Sequence, residues 1–178
     1  MKKKRVNPRR IPLAKSKIDS NAILDEATRD DIYRAWLLVG NAILELDFLP
    51  GSELPRLADS VNQYIALSAS GKTKDSEMRR AERMMGIPQP YKSLNPNVIH
   101  SEAELEAFKK KVYHLATFTA LCVLYLGLES SGRFNEQQMQ RIFLNVNIAM
   151  AEIDSGINSY AKLEKVLGEY LLLTPYGN

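Results

Sequence analysis

The segment from Val112 to Leu128 constrains the fold more than any other part of the chain. Its 17 residues (VYHLATFTALCVLYLGL) carry no formal charge at neutral pH and are apolar on nearly every side of a helical projection. A helix without a polar face has to be enclosed by other helices or by lipid. The segment is slightly short for a membrane span and contains His114, Thr117 and Thr119. We therefore expect it to be buried in a helical bundle.

The start of this helix is predicted from a capping pattern. Ser101 followed by Glu104 has the spacing of a capping box, in which each side chain binds a backbone N–H group of the other residue. Leu105 and Phe108 then place apolar side chains on one face of the first turns. The sequence thus predicts a central helix over residues 101–129.

Further helix signals lie on both sides of the central helix. Helix starts are predicted at Asp19 or Ser20, at Pro55, at Thr73 or Asp75, at Asn135 with Gln138, and at Ser159, whose helix is expected to include Tyr170. Helix ends are predicted at the FLPGS motif (48–52), near Gly71, and at Gly86 and Gly156, with a proline-rich loop over 87–99. No alternating strand pattern is present in the sequence. The predicted fold is all-α: a single-domain bundle of about six helices over 19–178 around a buried central helix.

Size and composition agree with one domain. The chain has 178 residues, of which 45% are hydrophobic and 25% charged, which is ordinary for a globular protein. The single cysteine, Cys122, falls in the apolar segment and has no second cysteine in the sequence to pair with. Asn7 and Pro8 follow the basic start where a signal peptide would have an apolar region. We expect a cytoplasmic protein that does not cross a membrane.

The charge distribution is strongly segregated. The first 17 residues hold eight positive charges and no negative one, whereas the remainder holds 16 basic and 21 acidic side chains. A basic arm of this kind, here residues 1–18, is typical of contact with nucleic acid or another polyanion, although it also occurs as a solvated tail. The basic residues of the arm are Lys2, Lys3, Lys4, Arg5, Arg9, Arg10, Lys15 and Lys17.

A second basic group is predicted on the third helix. Arg79, Arg80 and Arg83 lie within eleven residues of sequence, together with three carboxylates. Paired with the preceding helix, they would resemble a helix-turn-helix that presents arginines to phosphates or base edges. The other interpretation is a solvated, salt-bridged helix face. With the arm, these arginines form the candidate surface for nucleic acid or a partner protein.

Enzymatic interpretations have weaker support. Residues 66–73 (ALSASGKT) fit a relaxed phosphate-loop pattern, but such a loop follows a strand, and the preceding residues have helical spacing. The acid-bearing strand would have to be Val123–Glu129, inside the predicted central helix. Two histidines and one cysteine do not form a convincing metal site, and no activated nucleophile is recognisable. We expect no catalytic residue, no metal and no cofactor.

Two stretches resemble small helical proteins encoded by phages and prophages of Gram-positive bacteria. The first runs from Arg9-Arg10-Ile11-Pro12 through Asp25-Glu26-Ala27-Thr28 to Ala35 and Trp36; the second runs from Val146 through residues 154–160 (DSGINSY) to residues 166–170 (VLGEY). Relative to those proteins, residues 49–97 look like an insertion.

This resemblance implies a mobile-element origin and no particular reaction. Phage accessory proteins of this size often bind host machinery, so we expect a non-enzymatic interaction protein whose partner is a host protein or nucleoprotein complex. The specific hypothesis is an inhibitor of a host defence nucleoprotein, anti-CRISPR-like in kind. The alternative is an accessory factor for phage replication or transcription that binds DNA or RNA directly.

Overall fold

The computed structural model describes residues 20–69, 75–87 and 101–168, and these ranges contain helices and turns but no strand. They contain six α-helices: α1 (Ser20–Glu45), α2 (Leu54–Ala69), α3 (Asp75–Met85), α4 (Glu102–Ser130), α5 (Glu136–Asp154) and α6 (Tyr160–Leu167). A short 3-10 turn at Gly51–Glu53 leads into α2. The predicted all-α helical bundle is confirmed. The basic arm and most of the predicted proline-rich loop lie outside the described residues.

Side-chain caps fix the starts of three helices where the sequence predicted them. The Ser101 hydroxyl accepts a hydrogen bond from the Glu104 N–H at 3.2 Å. At α5, Asn135 and Gln138 form a complete capping box: the Asn135 side chain accepts from the Gln138 N–H at 2.9 Å, and the Gln138 side chain accepts from the Asn135 N–H at 3.0 Å. Ser159 caps α6 in the same way. Each cap satisfies backbone donors that lack a partner inside the helix.

The ends of α3 and α5 follow the glycine prediction. Gly86 and Gly156 adopt positive φ angles of 65° and 76°. This left-handed conformation is strained for residues with a β-carbon, so glycine stops a helix there at little cost. Helix α6 was expected to include Tyr170. In the described residues it extends to Leu167, and residues 169–178 lie outside them.

The central helix is α4, as predicted, and its C-terminal half is the more deeply buried. Phe118, Leu121, Leu124 and Leu128 are each 3% exposed or less. Helices α1, α2 and α3 all pack against α4. By length and composition α4 would also be apolar enough to cross a membrane, but 72% of its apolar window is buried inside the bundle. That burial is typical of a core helix.

Helix α1 is a second buried helix, which the sequence interpretation underestimated. In the sequence, Trp36, Val39 and Ile43 recur at helical spacing, which favours a single apolar stripe. The structure instead buries Leu37 and Leu38 as well, each at 1% exposure, so this part of α1 is enclosed on all sides. The reason is its position, because α1 packs on α4 and also on α5 and α6. Trp36, the only tryptophan in the sequence, lies on this stripe and is a core residue at 4% exposure.

Two glycines allow close approach between helices. A β-carbon added at Gly127 of α4 would lie 3.2 Å from Val61 Cγ1 and 3.3 Å from Val61 Cα on α2. At Gly40 of α1 the nearest atoms are the Leu167 methyl groups of α6, at 3.4 Å. The contact at Gly127 involves a backbone atom of Val61, whereas the contact at Gly40 involves only the side chain of Leu167. The two glycines therefore differ in how much a methyl group would disturb the packing.

Candidate cationic docking surface

The predicted binding residues divide into a described and an undescribed group. The three arginines lie on α3, whereas the basic residues of the arm, from Lys2 to Lys17, lie outside the described residues. The geometry of the candidate surface therefore concerns α3. Its first turn carries Asp75 and Glu77 and its last turn carries Arg83, which complements the helix dipole at both ends.

Helix α3 is held on the bundle through one face. Ala81 and Met85 are buried, at 0% and 4% exposure, and belong to the main hydrophobic core. The opposite face of the helix carries Arg79 and Arg83, both exposed. The core-facing residues thus orient these two arginines toward solvent.

Arg80 has a carboxylate partner that the sequence interpretation did not identify. Its guanidinium donates two hydrogen bonds to the carboxylate of Glu129, one to each oxygen, across 49 residues of sequence. The bonded guanidinium holds the pKa of Glu129 below its usual range. Because a fork-to-fork contact of this kind fixes both groups, Arg80 anchors α3 to the C-terminal end of α4. Binding by the three arginines stays a prediction, and Arg80 differs from the other two in being already paired.

Arg79 and Arg83 form what we call the arginine pair. They lie four residues apart, so their side chains emerge from adjacent turns of one face. Neither forms an ion pair or hydrogen bond with another residue in the described ranges. Like charges at this spacing destabilise a helix by a few tenths of a kcal/mol, about 0.2–0.5. An anion placed between the two guanidinium groups would remove this repulsion.

The helix-turn-helix interpretation is not favoured by the packing. Both α2 and α3 pack chiefly on α4 rather than on each other. In a helix-turn-helix, the first helix supports the recognition helix directly. The connection between α2 and α3, residues 70–74, lies outside the described part of the chain. The arginine pair is therefore better regarded as an exposed patch on a bundle than as a groove-reading helix.

The phosphate-loop interpretation lacks its structural context. Ala66 to Ala69 form the last turn of α2, and Val123–Glu129 lies inside α4. The described residues contain no strand to precede such a loop. Gly71, Lys72 and Thr73 lie outside the described ranges. A phosphate loop needs a strand before it and a helix after it, so this match does not support nucleotide binding.

The remaining candidate groups show no arrangement for chemistry. Cys122 is completely buried, and burial raises its pKa to about 12, which keeps the thiol protonated. His114 lies on α4 and is partly exposed; His100 is outside the described ranges. No group of three or more potential metal ligands occurs among the described residues.

Two features of the surface were not predicted from the sequence. One is Glu129, whose role as the partner of Arg80 depends on how α3 and α4 pack. The other is the outward face of α5, where Leu144 and Ile148 are 59% and 50% exposed. A helical projection of α5 contains that signal, since these residues lie opposite the buried stripe that includes Phe143 and Val146.

Comparisons with protein-family models, with curated proteins and with solved structures returned no match to this chain. What the surface can bind therefore follows from its own residues.

Proposed function

We propose that this chain is a non-enzymatic, cytoplasmic interaction protein of mobile-element origin that docks onto a host nucleoprotein and inhibits it. The arginine pair carries the proposal. Two exposed guanidinium groups lie on adjacent turns of one helix face, and neither forms an ion pair or hydrogen bond within the described residues. Phosphate groups are the anions that arginine binds best, because its planar fork matches their oxygens.

The basic arm supports the same proposal from the sequence. Its eight positive charges in 17 residues are segregated from a body that is net acidic. Each phosphate contact contributes through the release of counterions, and the arginine pair alone would supply only about two such contacts. A partner containing both nucleic acid and protein therefore fits a small patch on a largely acidic bundle better than naked nucleic acid does. The phage-protein resemblance points to the specific form, an inhibitor of a host defence nucleoprotein.

Affinity purification tests this proposal directly. The tagged full chain would be expressed in a bacterial host and its partners recovered with and without nuclease treatment. We expect a nucleoprotein whose recovery falls when Arg79→Glu and Arg83→Glu are combined. The matched control is Lys162→Glu with Lys165→Glu, which makes the same change of charge on the exposed surface of α6. Recovery of no nucleoprotein, with or without nuclease, would contradict the proposal.

The second candidate is an accessory factor that binds DNA or RNA without a protein partner. The density of positive charge in the arm favours it. It predicts that the purified chain binds short DNA or RNA, that binding falls steeply with salt, and that deletion of residues 1–17 weakens it. Absence of binding to free DNA and RNA at low salt would eliminate this candidate and leave the nucleoprotein inhibitor.

A further inference from the structure

The apolar side of α3 consists of methionine and one alanine. All four apolar residues of the helix belong to the main core or pack against it: Met78, Ala81, Met84 and Met85. Apart from the methyl group of Ala81, every apolar side chain that α3 places against the bundle is therefore a thioether. Three of the six methionines of the sequence lie on this one helix of eleven residues.

The other described helices are anchored differently. Each of them buries leucine, isoleucine or phenylalanine side chains. In α5, which also buries Met139, the buried stripe includes Ile142 and Phe143. Methionine is unbranched and flexible, so it fills gaps in a core but fixes a neighbouring helix less specifically than branched side chains do. Among the described helices, α3 is therefore the one whose docking depends most on thioether groups.

Two of the α3 methionines reach the surface. Met78 and Met84 are partly exposed, whereas Met85 is only 4% exposed. The single cysteine of the sequence, Cys122, is completely buried on α4 and its thiol is protonated, which protects it from oxidation. A small oxidant that approaches α3 would therefore meet the thioethers of Met78 and Met84 before the thiol.

We propose that α3 is a redox-sensitive element, in which oxidation of Met78 and Met84 to methionine sulfoxide loosens the helix from the bundle. With hydrogen peroxide, the sulfur accepts one oxygen atom, the O–O bond breaks, and water is released; the sulfur loses the two electrons that the peroxide gains. The product carries a polar S=O group, whose burial against an apolar core is unfavourable. Methionine sulfoxide reductases reverse the reaction, with two thiols as the reductant and a disulfide and water as products.

Few other described contacts would hold the oxidised helix. The ion pair between Arg80 and Glu129 is exposed to solvent, so it contributes little to docking. Met85 and Ile87, which are both buried, remain as anchors at the C-terminal end of α3. Met78 is the only apolar residue of the helix before Ala81. Loosening should therefore begin in the N-terminal turns of α3.

The arginine pair lies on the same helix. Loosening α3 would therefore also change how the guanidinium groups of Arg79 and Arg83 are presented to an anionic partner. That consequence rests on the proposed function. The oxidation and the loosening do not rest on it, because both are measured on the chain without any partner.

Hydrogen–deuterium exchange tests the proposal on the full chain, before and after treatment with hydrogen peroxide, and peptide mass spectrometry locates the sulfoxides. We expect sulfoxide at Met78 and Met84, and amide exchange in α3 that is faster by about tenfold, because a partly buried side chain no longer contributes to docking. The amides of α4 and α5 are the internal reference and should keep their exchange rates. Treatment with methionine sulfoxide reductases should restore slow exchange in α3.

Three variants identify the residues responsible. Met78→Leu combined with Met84→Leu keeps apolar side chains of similar volume and removes both sulfurs, so its α3 should exchange slowly with or without peroxide. Met78→Gln combined with Met84→Gln places polar side chains at the same positions and should exchange fast without any oxidant. Met150→Leu is the matched control, at a partly exposed methionine of α5, and should leave the peroxide response of α3 unchanged.

Three results would overturn the proposal. The first is oxidation of Met150 by peroxide while Met78 and Met84 stay unmodified. The second is full oxidation of Met78 and Met84 without faster exchange in α3. The third is a loosening of α3 by peroxide that is equally large in the double leucine variant. Failure to capture a nucleoprotein, with α3 exchange behaving as expected, would contradict the proposed function alone.

Discussion

Gly127 lies where two helix backbones nearly touch. Replacing a helical glycine by alanine normally stabilises a helix by about 0.5–1 kcal/mol. At Gly127 the new β-carbon would meet Val61 Cα, which cannot move without shifting α2. We expect Gly127→Ala to lower the free energy of unfolding by about 1–3 kcal/mol. Urea denaturation followed by circular dichroism measures it.

Gly40→Ala is the matched control for this prediction. Its β-carbon would contact only the Leu167 methyl groups at 3.4 Å, an ordinary separation that a small rotamer adjustment relieves. We expect it to be neutral or stabilising, within about 1 kcal/mol. Equal effects of the two substitutions would contradict the packing described for α2 and α4.

The Arg80–Glu129 contact should contribute little to stability and should depend on pH. Their side chains are 43% and 41% exposed, so solvent screening limits the pair to below about 1 kcal/mol. Arg80 lowers the pKa of Glu129. The stabilisation is therefore present above the unfolded-state pKa of Glu129 and disappears as the pH falls through its lowered folded-state pKa.

A double-mutant cycle with Arg80→Met and Glu129→Gln measures this coupling. We expect a small favourable coupling at neutral pH and none in acid, below the folded-state pKa of Glu129. A coupling that grew as the pH fell would contradict the assigned ion pair.

At the scale of the helices, the capping box of α5 is a local device that can be removed alone. Asn135→Ala eliminates the side-chain acceptor of the Gln138 N–H, so that backbone donor loses its partner in the protein. We expect a loss of about 1 kcal/mol in the free energy of unfolding. Asn147→Ala, at an exposed position in the middle of the same helix, is the control and should change stability by less than about 0.5 kcal/mol. Denaturant unfolding of both variants checks the difference, and a larger effect at Asn147 would contradict the capping role.

The helices that the sequence predicted well have signals within a few residues of their ends. Ser101, Asn135 and Ser159 cap α4, α5 and α6, and Gly86 ends α3, all as predicted. The burial of α1 on all sides was harder to predict from the sequence, because a single apolar stripe already accounted for the spacing of its apolar residues. Leu37 and Leu38 are buried in a helix that packs against α4, α5 and α6, and this packing depends on how distant helices assemble.

In the candidate site, too, some features follow from residues close together in sequence and others from contacts between distant helices. The three arginines of α3 and its end at Gly86 can be identified from its own residues. That Arg80 is neutralised while Arg79 and Arg83 are not depends on Glu129, which lies 49 residues away from Arg80 in sequence. No sequence spacing encodes that contact. The pairing that distinguishes Arg80 from Arg79 and Arg83 could therefore be found only in the folded chain.

At the scale of the whole molecule, the chain has two oppositely charged parts. The arm and the arginine pair are cationic, whereas the rest of the chain is net acidic. The arginine pair lies on a bundle in which other helices enclose described parts of α1 and the C-terminal half of α4. A charge reversal at an exposed arginine should therefore change binding without unfolding the protein. Surface variants can therefore test whether the arginine pair binds an anionic partner.

The most direct test is the salt concentration at which a captured nucleoprotein elutes from the immobilised full chain. Arg79→Glu with Arg83→Glu should release it at lower salt than the wild type, because two phosphate contacts are lost. Lys162→Glu with Lys165→Glu should leave the eluting salt unchanged. Elution of the nucleoprotein at one salt concentration from all three chains would contradict the claim that the arginine pair binds its anionic partner.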